Sequence, residues 1–212
     1  MLEEPVRDRR SERHEATKAE ILAAAWDIAR TEGLSAVSLR DIARRVGMRP
    51  PSLYNYFDSK HAIYDAMYAQ GAQQFADAEP WEEMRGDARH DVGRIVSYYV
   101  RFCADDPARY QLLFQRTIPG FAPSPESFAI SEESLARLGA QLERCGITDP
   151  RAVDLFTALG AGLASQQLSN DPGGDRWIRL IDDAVEMFVD YLSSSTGLQA
   201  TAKEGDRHDD RD

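Results

Sequence analysis

Apolar residues recur at helical spacing along almost all of this 212-residue chain, and no segment alternates apolar with polar residues as a half-buried strand must. There is no Asn-Gly hairpin signal and no internal repeat. The pattern predicts an all-α fold of about nine helices.

Local signals place the helices. Thr17-Lys18-Ala19-Glu20 reads as a capping box opening the first helix. Ile21, Leu22, Ala25, Ile28 and Ala29 then share a face, and Gly33 stops the helix. Ser38-Leu39-Arg40-Asp41 caps a second helix, with Leu39, Ile42, Ala43 and Val46 inward and Gly47 at its end. A short helix follows over Pro51–Phe57, and a fourth starts at Ser59-Lys60. Later helices are predicted over about 87–104, 108–115, 126–145, 150–169 and 175–194. Asp106-Pro107 caps one of them, and the three prolines between 119 and 125 form a stiff loop.

The net charge of −11 argues at first against nucleic acid, but the charge is segregated. Residues 1–60 carry 11 Lys/Arg and 10 Asp/Glu, a balance of +1, which leaves −12 on the remainder. The early basic residues cluster at Arg7, Arg9, Arg10 and Arg13, and again at Arg40, Arg44, Arg45 and Arg49. That asymmetry suits a two-part protein with one nucleic-acid end. Cys103 and Cys145 belong to no CxxC pair, so they read as small buried hydrophobes rather than a disulfide or zinc site. With no apolar run long enough to cross a bilayer and no apolar leader, the expected compartment is the cytoplasm, away from membranes.

Ser38–Phe57 carries the chemistry: two short helices joined by the glycine-bearing turn Val46-Gly47-Met48-Arg49 form a helix-turn-helix plan. Leu53 and Phe57 fall in phase with the core. Arg49, Pro50, Ser52, Tyr54, Asn55 and Tyr56 are left at the surface, where Ser, Asn, Tyr and Arg can bond base edges or phosphates. Ser38 and Arg40 open the preceding helix, and Lys60 opens the next, within reach of flanking backbone. Tyr54 and Tyr56 could equally be packing aromatics.

These residues resemble the TetR family of bacterial transcriptional regulators. The likeness runs through Thr17, Ile21-Leu22, Ala24-Ala25 and Gly33, then Ser38–Ala43, Val46-Gly47-Met48, Leu53–Phe57 and Ser59-Lys60, covering about residues 15–75. It implies a homodimer that binds double-stranded DNA at a near-palindromic operator and answers to a small, apolar effector. The implied organisation is a DNA-binding domain (15–75) and a ligand-binding and dimerisation domain (76–197), flanked by an N-terminal arm (1–14) and by a polar tail (198–212) whose low apolar content predicts disorder. The entry to the recognition helix, Arg49-Pro50-Pro51, departs from the family's usual Ser or Thr cap. Pro51 at the first helical position is expected to offset the missing cap, and Pro50 to close the turn.

Beyond residue 75 no motif names a ligand. Tyr99, Phe102, Phe114, Phe156, Gln166 and Trp177 are candidates for an apolar pocket with a polar group, or else a filled core. Ile178, Ile181, Val185, Phe188 and Leu192 step by three and four, and with Phe156 and Leu163 form the expected dimer interface. Scattered histidines, no HExxH, no nucleophile elbow and no phosphate loop argue against an enzyme, a cofactor or a metal. The regulator is expected to be a repressor released by its effector. An activator, an effector-independent DNA binder, or a helical carrier or enzyme are the alternatives.

Overall fold

The computed structural model describes residues 9–205, with side chains described through residue 194. Among the described residues every regular element is helical: α1 (Arg9–Glu32), α2 (Leu39–Arg45), α3 (Pro50–Leu53), α4 (Lys60–Asp77), α5 (Ala88–Asp105), α6 (Pro107–Phe114), α7 (Pro125–Arg144), α8 (Ala152–Asn170) and α9 (Ile181–Gly205), with three short 3-10 turns. No described helix is long and apolar enough to cross a membrane.

The helices gather into two compact units. The first comprises Met1–Gln74 and Asp106–Ile130, so α6 and the start of α7 pack with the N-terminal helices. Its core is built on Ile21, Ile28, Ile42, Leu53, Ile63 and Met67, joined by Ala108 and Leu112 of α6. Full burial of each large aliphatic side chain contributes about 1.5–3 kcal/mol. Polar ties lock the same unit. Arg30 pairs with Asp106 at 2.8 Å while Asp106 also accepts the N–H of Arg109 and so caps α6. Tyr64 donates to the carbonyl of Leu34 at 2.6 Å, fixing the start of α4 against the α1–α2 connection.

The second unit comprises Phe75–Asp105 and Ser131–Asp212. Val92, Ile95, Val96 and Val100 of α5 pack with Phe156 and Leu163 of α8 and with Ile181, Val185, Phe188 and Leu192 of α9. Gly160 lets the α8 backbone approach the Tyr99 ring; a Cβ there would sit 3.1 Å from the ring edge.

Three local expectations are corrected. α1 starts at Arg9, so Thr17 lies inside a helix and its hydroxyl donates back to the carbonyl of Arg13; residues 9–14 are helix, and 1–8 lie outside the described residues. The last helix starts at Ile181, not near Asp175, because the Gln167 side-chain carbonyl takes the N–H groups of Trp177 and Ile178 and Asp171 takes that of Arg176. Those diverted donors hold 175–180 in a turn and a 3-10 segment. The expected tail begins inside α9, which runs to Gly205, and 206–212 lie outside the described residues.

Candidate nucleic-acid interface

α2 begins as its sequence dictates. Ser38 is extended (φ −140°, ψ 147°), and its hydroxyl oxygen accepts the N–H of Asp41 at 3.1 Å. The helix ends where Gly47 adopts φ +68°, a conformation that costs glycine nothing, and the Met48 N–H returns to the carbonyl of Ala43 at 2.8 Å. Met48 packs partly buried against the core, closing the turn between the two short helices.

The recognition helix is shorter and starts earlier than expected. Arg49 is its N-cap, extended at φ −78° and ψ 138°, with no side-chain cap. Pro50 and Pro51 both lie in the first turn, and α3 covers only Pro50–Leu53. Pro50 therefore does not close the turn. Proline's fixed φ suits the first helical positions, and neither ring wastes an N–H that a cap would have satisfied. The chain then winds on as single turns, with Tyr56 and Phe57 donating to the carbonyl of Leu53 at 2.9 and 3.0 Å. Leu53 and Phe57 are buried as the phase required. Arg49, Pro50 and Asn55 are exposed, Ser52 is half-buried and Tyr54 is 55% exposed. Tyr54 is thus no packing aromatic. Tyr56 is intermediate: half-buried, and stacked on His14 of α1 with ring centroids 4.7 Å apart and 22° between planes.

Ion pairing sorts the cations of this unit. Arg30 is held by Asp106, Arg44 by Asp41, and Arg45 by both Asp27 and Glu32. Arg40 and Arg49 are exposed and have no carboxylate partner among the described residues. Lys60 donates to the carbonyl of Ser35 at 3.4 Å and rests over the Tyr64 ring, so its ammonium is positioned without being neutralised. The surface around α3 thus holds uncompensated positive charge beside exposed hydrogen-bonding side chains, the combination that a polyanion with readable edges requires. The role of His14 escaped sequence reading. Its partner lies 42 positions away, and no local pattern brings the two together.

Residues 21–67 match the family model described as bacterial regulatory proteins, tetR family. Residues 21–67 of this chain thus form a TetR-family segment. The chain is 32% identical over 97 residues to the uncharacterized HTH-type transcriptional regulator YobS of Bacillus subtilis, covering 45% of this chain and 50% of that protein. It is 23% identical over 155 residues to the HTH-type transcriptional repressor Rv1353c of Mycobacterium tuberculosis, covering 73% and 58%. The chain therefore spans half to three-fifths of the length of these curated relatives. The TetR fold extends further. The Bacillus subtilis regulator FadR in complex with stearoyl-CoA superposes with TM-score 0.66 at 16% identity, over 81% of this chain and 97% of that one. A TetR family regulator from Marinobacter aquaeolei superposes with TM-score 0.63 at 21% identity, over 85% and 97%.

The second unit rearranges the remaining candidates. Phe156 and Phe188 meet edge to face inside the core, and Leu163, Ile181, Val185 and Leu192 are buried beside them, with Ile178 partly buried. The stripe expected to meet a second copy is consumed within the chain, because α5 covers it. Among the described residues, the large apolar side chains left exposed on α8 and α9 are Leu155, Met187 and Tyr191. The pocket candidates are divided between the two units. Phe102 packs on Phe75, Tyr99 lies against Gly160, Phe114 belongs to the first unit, and Gln166 is exposed and bonded to Asn170. The buried amide is its neighbour Gln167, spent on the α8–α9 connection; the Nε1 of Trp177 is buried without a partner. A solvent-open groove of about 590 Å³ does exist in this unit, lined by Trp81, Arg137, Ala140, Glu143 and Arg144.

Proposed function

We propose that the chain is a sequence-specific DNA-binding repressor. Arg49, Ser52, Tyr54 and Asn55 read base edges in the major groove, while Ser38, Arg40 and Lys60 grip the flanking backbone. The carrying observation is charge sorting. In the helix-turn-helix, Arg44 and Arg45 are neutralised by carboxylates while Arg40 and Arg49 are not. The division of roles falls near residue 75, with effector binding and dimerisation beyond it. The effector is a small apolar or acyl-bearing molecule, in keeping with the stearoyl-CoA held by the similarly folded FadR. It acts by favouring a conformation with the wrong spacing between two recognition helices, and releases DNA by as much as it prefers that state.

The dimer forms through the outer face of α8 and α9. Met187, 71% exposed, and Tyr191 follow one another by one turn on α9, and Leu155 is exposed on α8. Two such helices from each copy make a four-helix bundle. Met187→Glu is expected to convert a dimeric mass in solution to a monomeric one; an unchanged mass rejects this face.

The test of the DNA reading is enrichment of duplexes from a random pool by the purified chain, followed by binding to the selected duplex at two salt concentrations. Enrichment of one motif with steep salt dependence is expected. No enrichment, or binding indifferent to sequence, overturns the reading. The regulatory site is expected in the cytoplasm, where the DNA is.

A further inference from the structure

The first three turns of α1 lie outside the residues matched by the family model, which start at Ile21. They are helix from Arg9 onward, and they touch the recognition segment through the stack of His14 on Tyr56. At about 100° per residue, the side chains around His14 fall into two flanks. Arg10, Arg13 and Arg9 follow on one side of His14, at about 40°, 100° and 140° from it. Glu15 and Glu12 lie on the other, at about 100° and 160°. All five are exposed. Glu15 faces Lys18 at 3.8 Å, whereas Arg9 and Arg13 have no ion pair among the described residues.

We propose that this helical extension is a further DNA-contacting element, in which Arg9, Arg10 and Arg13 grip backbone phosphates beside the bases read by the recognition helix. The inference rests on the DNA reading given under Proposed function. His14 is the positioning residue: its ring holds the extension against Tyr56, so the basic flank and the recognition helix meet the duplex as one rigid surface. The side chains present three guanidiniums within about one turn of helix, a spacing of about 6 Å along the axis. Guanidinium forks match phosphate oxygens, and nothing in this arrangement reads a base. The extension thus adds affinity without sequence preference.

The experiment uses the full chain and a duplex that the wild-type protein has enriched from a random pool, with binding measured by fluorescence anisotropy across a salt series. Arg9→Gln/Arg10→Gln/Arg13→Gln, which keeps good helix formers, is expected to weaken binding about 10- to 100-fold and to flatten the slope of log K against log salt by about two to three. The enriched motif stays the same. Glu12→Gln/Glu15→Gln, on the opposite flank, is expected to leave the slope unchanged. His14→Ala is expected to weaken binding about tenfold and His14→Phe, which keeps a stacking ring, to restore it. Far-UV circular dichroism of each variant checks that α1 persists. A triple variant with wild-type affinity and slope overturns the phosphate contacts. His14→Phe binding as weakly as His14→Ala overturns the positioning role. Failure of the wild-type chain to enrich any duplex overturns the DNA reading itself, and is told apart because it precedes every variant.

Discussion

The carboxylate of Asp65, in the second turn of α4, accepts the backbone N–H of Ser124 at 2.6 Å and the hydroxyls of Ser124 and Ser127 at 3.0 and 2.9 Å. One side chain of the helix that follows the recognition segment therefore organises the start of α7, 59 positions away, within the first unit. Asp65→Ala strands three donors at a partly buried site. It is expected to lower stability by about 2–3 kcal/mol, read as a shift of the urea midpoint at constant slope. A shift under about 0.5 kcal/mol would show that water replaces the carboxylate at no cost.

Asp91 gives the second unit its acid sensitivity. It is fully buried and accepts the N–H groups of Arg85 and Gly86, the Gln141 amide and the His90 ring. Burial pushes its pKa up, but the bonds from His90, Arg85, Gly86 and Cys145 outweigh this and hold it down to about 2. A depressed folded value means stability that is complete above the unfolded carboxylate range and is lost as pH falls. This group is expected to contribute about 2 kcal/mol above pH ~4, fading toward pH ~2, and Asp91→Asn to abolish that slope in acid titrations of stability. The same cluster holds Cys145, expected to be a buried hydrophobe and found only partly buried. Its half-buried thiol faces Asp91 and is pushed up to about 11, by burial first and the carboxylate second. Alkylation at pH 8 is expected to be slow in the folded protein and fast in urea.

Arg45 and Arg49 are four positions apart, and chemically alike in the sequence, yet opposite outcomes are expected from removing them. Arg45 links Asp27 and Glu32 of α1 to α2. Arg45→Ala should lower thermal stability by about 1 kcal/mol or less, as expected for exposed pairs, and leave the affinity for a selected duplex nearly intact. Arg49→Ala should leave stability alone, weaken binding about tenfold or more, and relax preference at one base position. Equal binding losses in both would erase the distinction drawn from ion pairing.

Glycines separate crowding from openness within α5 and α8. A Cβ at Gly160 would press on the Tyr99 ring at 3.1 Å, whereas one at Gly93 meets nothing within 4 Å. Gly93→Ala is expected to stabilise by about 0.5–1 kcal/mol through helix propensity alone. Gly160→Ala should be destabilising by about 1 kcal/mol, since displacing a packed ring outweighs that gain. Thermal denaturation of the two variants side by side decides it; equal stabilisation would mean that Tyr99 yields freely.

What the amino-acid order settled alone is whatever rests on neighbours three or four positions apart. Helical periodicity made the chain all-α, Ser38 with Asp41 placed the start of α2, Gly47 ended it, and the phase of Leu53 and Phe57 set which residues of the recognition segment face outward. The outcome was different wherever a partner lies far along the chain. Thr17 looks like a cap, but residues 9–16 continue the helix and His14 stacks on Tyr56. Ile181, Val185, Phe188 and Leu192 form a seam in any register count, and only the presence of α5 decides that the seam is internal. Arg45 and Arg49 carry the same charge, and only the carboxylates of Asp27 and Glu32, brought in by packing, decide which one is neutralised. Periodicity specifies that a face is apolar, and capping specifies where a helix begins. Which surface covers that face, and which charge is neutralised, are set by long-range contacts that no local rule contains.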